Sequence, residues 1–278
     1  MNKLIMLYFV FSLFFLACKS EYNNEINKPL NNTQKAIQNK ESESQKLLEA
    51  VRIGNLNLAK EYIRKGADVN CKRILDSEGS LETPLSLAVA VGNIELVKFL
   101  LDNGAKVNSI DAFCEDDECF ESESPALLEA IEKSKNIEIV KLLIEKGANV
   151  NGANFPLFRA VSNNDLKMAK FLITNGADVN KLEYTQGLTP LMVAVSNDNM
   201  EMVKILLTNG ANPNIAEETP FPICFAKNVD MVKLLISGGA DINAKNTYGY
   251  QPLDRCSTNE DILEFLISRG AKTSTDMR

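Results

Sequence analysis

Asp111 to Ser124 reads DAFCEDDECFESES and gathers the residues best equipped for chemistry in this 278-residue chain. Cys114 and Cys119 enclose Glu115, Asp116, Asp117 and Glu118, with Phe113 and Phe120 just outside them. Thiolates beside carboxylates offer soft and hard metal ligands together. Two thiols this close in sequence also suit a local disulfide. The seven acids of the stretch, with no base among them, would attract a basic partner. Against a zinc site stands the lack of a second paired-cysteine motif and of any histidine. The missing histidine also removes the commonest general base. No nucleophile–base pair, phosphate loop or metal cluster argues for catalysis, and no cofactor or metal is expected. The formal charge of −7 argues against nucleic acid, which needs a basic stripe.

The compartment decides which of these chemistries is open. The chain begins MNKLIMLYFVFSLFFLACKS. Lys3 is followed by an apolar run, Leu4 to Ala17, interrupted only by Ser12. That run is too short for a stable membrane span, which takes about 20 residues, and has the anatomy of a secretory signal over residues 1–17. Its end, Phe15-Leu16-Ala17-Cys18, resembles the lipobox of bacterial lipoproteins. The resemblance implies cleavage before Cys18 and lipid on its thiol, an anchor rather than a span. The alternative is a plain cleaved signal with an incidental cysteine. The implied place is the bacterial cell envelope, lipid-anchored to a membrane, with the outer membrane favoured and the folded part periplasmic or surface-exposed. Residues 18–43 are polar and aperiodic, a composition that cannot bury enough surface to order itself. They are expected to form a flexible tether, or at most a short helix around Thr33 to Lys40.

From residue 44 to 278 the chain repeats itself. Gly66, Gly104, Gly147, Gly176, Gly210, Gly239 and Gly270 each precede Ala, and six continue in the style of GADVN. Asn or Asp stands eleven residues before each glycine: Asn55, Asn93, Asn136, Asp165, Asn199, Asn228 and Asn259. The fixed interval is a rigid unit. In NIELVKFLLDNGA, Asn93 is an N-cap, Ile94, Val97, Leu100 and Leu101 form one apolar face, and Gly104 takes the left-handed end. A shorter helix opens upstream on Pro-Leu-x-x-Ala, as in Pro84 to Ala88 and Pro190 to Ala194.

These residues resemble ankyrin repeats, most closely in TPLSLAVAVGNIELVKFLLDNGAKVN and TPLMVAVSNDNMEMVKILLTNGANPN. The resemblance implies an all-α solenoid of about seven units, each a β-turn finger and two antiparallel helices. It further implies a monomeric protein-binding module whose fingers and first helices line a concave groove. The usual TPLH is never complete: Ser86 and Met192 replace its His, whose hydrogen bonds are expected to be missing. Unit one has QKLLEA where TPLxxA belongs, which suits an N-terminal cap. In units six and seven the first helix is cut short.

The spacings between glycines run 38, 43, 29, 34, 29 and 31, so the fingers vary. The finger after Gly66 carries an insertion, that after Gly104 is longest and contains the acidic stretch, and that after Gly147 is nearly absent. Insertions of this kind project on one face, often the binding face. The candidate contact residues are Arg73, Phe113, Glu115, Asp116, Asp117, Glu118, Phe120, Tyr184 and Tyr248, meeting an unidentified protein of basic or mixed surface. The bland alternatives are Phe residues folded back on the first helices and tyrosines packed on neighbouring fingers. Cys224 and Cys256 are expected to be core thiols. Cys114 and Cys119 are a candidate disulfide, with Cys71 as competitor; free thiols and a metal site stay open. An envelope metal-binding or thiol-redox module using the Cys114–Cys119 loop is the alternative function, and a purely structural spacer a third.

Overall fold

The computed structural model describes residues 32–74, 81–115, 118–123, 125–152, 154–216, 220–256 and 260–274. The signal segment, Cys18, Asp116, Asp117 and Asn259 lie outside the described residues. Seven helical pairs follow one another: α1 (Asn32–Arg52) with α2 (Leu56–Arg64), α3 (Pro84–Val91) with α4 (Ile94–Asp102), and α5 (Pro125–Glu129) with α6 (Ile137–Glu145). Then come α7 (Pro156–Ser162) with α8 (Leu166–Thr174), α9 (Pro190–Ser196) with α10 (Met200–Thr208), a 3-10 turn (Pro222–Phe225) with α11 (Val229–Ser237), and α12 (Pro252–Arg255) with α13 (Glu260–Ser268). One apolar core runs the length of the stack, from Leu47 to Leu266.

Each outer helix opens as its sequence demands. The side chain of Asn93 accepts from Leu96 N–H at 3.1 Å, Asp165 from Met168 N–H at 3.0 Å, and Asn199 from Met202 N–H at 2.9 Å. Each closes on a left-handed glycine. Gly104, at φ +87°, turns the chain so that Ala105 N–H reaches the Leu100 carbonyl at 2.9 Å. The inner helices are capped without the family's histidine. Thr83 N–H donates to Ser86 Oγ at 2.9 Å while Ser86 N–H donates to Thr83 Oγ1 at 3.1 Å. In α9 the Met192 sulfur takes the Thr189 N–H at 3.4 Å. At these two positions the threonine N–H is taken by a hydroxyl or a thioether three residues on. In unit three Ala130 and Asn136 stand six residues apart, one more than Ala88 and Asn93. The extra residue is absorbed by a π turn, Ala130–Ser134, and a left-handed Lys135 at φ +48°.

The units are joined by a ladder of asparagines, one from each GADVN-type finger. Asn70 Nδ2 donates to the Gly104 carbonyl at 3.0 Å, and its Oδ1 accepts from Lys106 N–H at 2.8 Å. Asn108, Asn151, Asn180, Asn214 and Asn243 repeat the pair of bonds to Gly147 and Asn149, Gly176 and Asp178, Gly210 and Asn212, Gly239 and Asp241, and Gly270 and Lys272. At the first unit no asparagine precedes, and Ser44 Oγ accepts from Asp68 N–H at 2.9 Å in its stead. Ser44 lies within α1, which begins at Asn32. Helix therefore extends well into the segment expected as tether, because the long first helix covers the open end of the stack.

The shortened first helices of units six and seven are as the spacing indicated, a four-residue 3-10 turn and a four-residue α12. Cys224 and Cys256, expected as separate core thiols, are instead bonded to each other, with Cα atoms 4.6 Å apart. Cys224 holds the position of Ser86 and Met192, and Cys256 holds that of the small alanine. One turn of helix carries few side chains, and the covalent bond joins the two turns directly. Closing a loop of 32 residues corresponds to about 3.5–4 kcal/mol in the chain-entropy account.

Two outcomes follow. Asn180→Ala removes two inter-unit bonds at an exposed site, and the urea midpoint should fall by the equivalent of about 2 kcal/mol; Asn180→Asp, which keeps the acceptor, should lose roughly half of that. Cys256→Ala keeps a small apolar residue and opens the disulfide. Limited proteolysis should then cut residues 220–274 faster while the units ending at Gly210 keep their resistance.

Candidate protein-binding surface

Fingers one and two are ribbons because they are long enough to pair with themselves. β1 (Arg73–Ile74) pairs antiparallel with β2 (Leu81–Glu82). β3 (Ile110–Glu115) pairs with β4 (Glu118–Glu123), a ribbon of six residues on each side. The acidic stretch is thus a β-hairpin. Its register sets Phe113 opposite Phe120, Cys114 opposite Cys119 and Glu115 opposite Glu118. The period of two along a strand places positions 113 and 120 on one face of the ribbon and 114 and 119 on the other. Like charges directly opposite each other destabilise a ribbon, so the Glu115–Glu118 pairing is a local cost.

Arg73 is engaged in the protein's own ion pairs. Its guanidinium lies 2.6 Å from Glu82 Oε2, which Arg52 of α1 also reaches at 2.6 Å. Arg73, expected as a contact residue, thus also braces the first finger against the N-terminal helix. Below it, a cleft of about 580 Å³ is lined by Lys40, Ser44, Leu48, Asp68, Cys71 and Arg73 among others. Cys71 packs there with its Sγ 3.7 Å from the Ser44 carbonyl. Burial, aided by the charge of Asp68, pushes its thiol up to about 11. The thiolate is the nucleophile of disulfide exchange, so Cys71 is a poor competitor for either finger cysteine.

The nearly absent finger after Gly147 leaves a gap that its neighbours close. Phe155 occupies the N-cap position of α7 with φ +50°, a left-handed conformation unusual for a bulky residue. Lys181 from the next finger sits 5.2 Å above its ring and donates to the carbonyls of Asn151 and Gly152. Tyr184 meets the same ring edge-on, 4.8 Å between centroids, yet is 76% exposed. It is therefore both packed on a neighbouring finger and open to a partner. Tyr248 is 62% exposed at the sixth finger, and Tyr250 carries Arg255 over its ring at 5.3 Å. Glu183 organises the Tyr184 finger. Burial alone would raise its carboxyl, but the Thr185 hydroxyl at 2.5 Å and the Thr185 and Gln186 amides at 3.0 and 2.9 Å outweigh it and hold it below the usual range.

Several working residues went unread in the sequence. The asparagine four residues after six of the seven glycines joins one unit to the next, a role that no local pattern announces. Lys181 carried no signal, since its task exists only because the preceding finger is missing. Among the described residues no group of three or more Cys, Asp or Glu is arranged to hold a metal, and no helix is long and apolar enough to cross a membrane.

The family model described as "Ankyrin repeats (3 copies)" matches overlapping stretches, residues 14–111, 47–154, 111–183, 127–217, 157–246 and 191–276. This chain belongs to the ankyrin repeat family. Among solved structures it is similar to the human ASB11 ankyrin repeat domain, at 26% identity and a TM-score of 0.59, covering 81% of this chain and 98% of that one. The ankyrin repeat domain of Bcl-3, a member of the IkappaB protein family, has the same fold at 24% identity and a TM-score of 0.61, with coverage of 81% and 98%. No curated protein matches the chain. Ankyrin repeats are in general protein-binding modules rather than enzymes.

Cys71 should resist maleimide labelling at pH 7 in the folded ankyrin stack and react at once on unfolding; rapid labelling of the native protein would contradict its placement. Glu183 has a depressed folded-state value, so its contribution is present above the ordinary glutamate range and lost as pH falls through the folded value. Urea midpoints of wild type should drop between pH 7 and pH 3 by more than those of Glu183→Gln.

Proposed function

We propose that this ankyrin protein is exported, anchored through a lipid on Cys18, and binds a protein partner in the bacterial envelope, with the outer membrane as its site. The β3–β4 hairpin is the principal contact element, assisted by the exposed Tyr184 and Tyr248. The observation that carries the reading is the hairpin itself, a twelve-residue paired ribbon that exceeds the short two-by-two ribbon of the first finger. Its strands hold acids opposite one another, Glu115 against Glu118. A partner with a basic or mixed surface would offset that repulsion, and charge of one sign favours fast, salt-sensitive association. Phe113 opposite Phe120 supplies aromatic positions of the kind enriched at interface centres. Export is supported by the signal-like N-terminus and by the Cys224–Cys256 disulfide, which is at home in an oxidising compartment.

Deleting residues 113–121 should leave the helical circular dichroism intact and abolish capture of the partner from membrane extracts; unchanged capture would sink the assignment of the hairpin. Replacing Cys18 by Ser should move the protein from the membrane to the soluble fraction and remove incorporation of a palmitate analogue.

A further inference from the structure

We infer that Cys114 and Cys119 form a second disulfide, across the two strands of the acidic hairpin. Glu115 pairs with Glu118, so the register leaves a two-residue connection between the strands. In such a hairpin the pair flanking the connection is hydrogen-bonded, and the next pair out is not. Cys114 and Cys119 are that next pair. Non-hydrogen-bonded antiparallel pairs bring their Cα atoms to about 4.5 Å, within the range that disulfides use. The molecule's own disulfide, Cys224–Cys256, spans 4.6 Å between Cα atoms. The register thus presents two cysteines at the spacing this chain already bridges elsewhere.

Two further observations converge on the same bond. The hairpin sequence is acidic, with Glu115 facing Glu118 at its end, and little in that pairing favours the ribbon. A covalent link one step in from the repelling pair would hold it closed. The thiol inventory also leaves no better partner. Cys224 and Cys256 are taken by each other, and Cys71 is packed beneath the N-terminal helix against the Ser44 carbonyl. Cys18 is spoken for by lipid in the reading above, though the hairpin bond does not depend on that reading or on the hairpin's being the contact element.

The bond is made by exchange with a disulfide of the oxidising compartment, carried by a thiol oxidoreductase or by oxidised glutathione. One cysteine thiolate, its proton lost to solvent, attacks that disulfide; a mixed disulfide forms and one thiolate leaves. The second cysteine, deprotonated in turn, attacks the first cysteine's sulfur, the mixed bond breaks, and the second thiolate leaves. The protein gives up two electrons and two protons, and the oxidising disulfide becomes two thiols.

The test is peptide mapping of the full chain, purified in detergent without reductant. It is equilibrated across a series of oxidised-to-reduced glutathione ratios, alkylated while unfolded, and digested. The expected result is a peptide holding Cys114 and Cys119 unalkylated and two hydrogens lighter than its reduced form. It should appear in the same samples that contain the linked Cys224–Cys256 peptides, with Cys71 alkylated. The inference is overturned if Cys114 and Cys119 are alkylated in a sample in which Cys224–Cys256 is linked. It is equally overturned if either is joined to Cys71 or to a second copy, if neither pair links at any ratio, or if both are unlinked and protected by stoichiometric zinc.

Discussion

One side-chain amide per unit ties this stack together. An asparagine amide can donate from nitrogen and accept at oxygen at once, and each ladder asparagine uses both on the backbone of the next unit. The donor satisfies the carbonyl of a helix-ending glycine, and the acceptor takes the amide two residues further on. Because both partners are backbone atoms, the contact fixes the spacing of the units without regard to what else the fingers contain. Ser44 performs the accepting half at the first unit.

That arrangement explains where the chain can vary. A finger anchored by its asparagine can grow beyond that point, and the acidic hairpin does so between Asn108 and α5. A finger can also shrink, and the stack closes over the loss when Lys181 reaches back to the carbonyls of Asn151 and Gly152. Where the inner helices themselves shrink, in units six and seven, a disulfide joins the two turns. The same covalent device proposed in the hairpin would serve the opposite purpose, stiffening a display element rather than the scaffold. In an oxidising compartment neither bond is under threat from a thiol pool.

The helices were legible because their determinants are local. Asn93, Pro84 and Gly104 act on the turn they sit in, and the apolar face between them needs no partner to be recognised. The shortened helices of units six and seven were countable for the same reason. What escaped was everything that crosses from one unit to the next. The Cys224–Cys256 bond joins positions in two different units, and the alanine-like place of Cys256 disguised it as a filler. Nor could the sequence show that strand pairing brings Glu82, at the other end of the same finger, beside Arg73. The hairpin register was likewise invisible, although the Glu115 to Glu118 spacing hid a tight reversal. The helix beginning at Asn32 exceeds the short one allowed around Thr33 to Lys40 because the polar residues there give no apolar period; its C-terminal part buries Leu47, Leu48, Ala50 and Val51 against the stack.

Residue-resolved amide exchange of the native protein tests the central claim most directly. The amides of Asp68, Lys106, Asn149, Asp178, Asn212, Asp241 and Lys272 sit among exposed finger residues, yet each donates to the ladder or to its Ser44 cap. The account predicts that these seven exchange markedly more slowly than the amides of the residues that follow the motif in the same fingers, with the interior members slowest. Exchange at the unprotected rate in the interior fingers, with the helices still protected, would contradict it, for the units would then be held by helix packing alone.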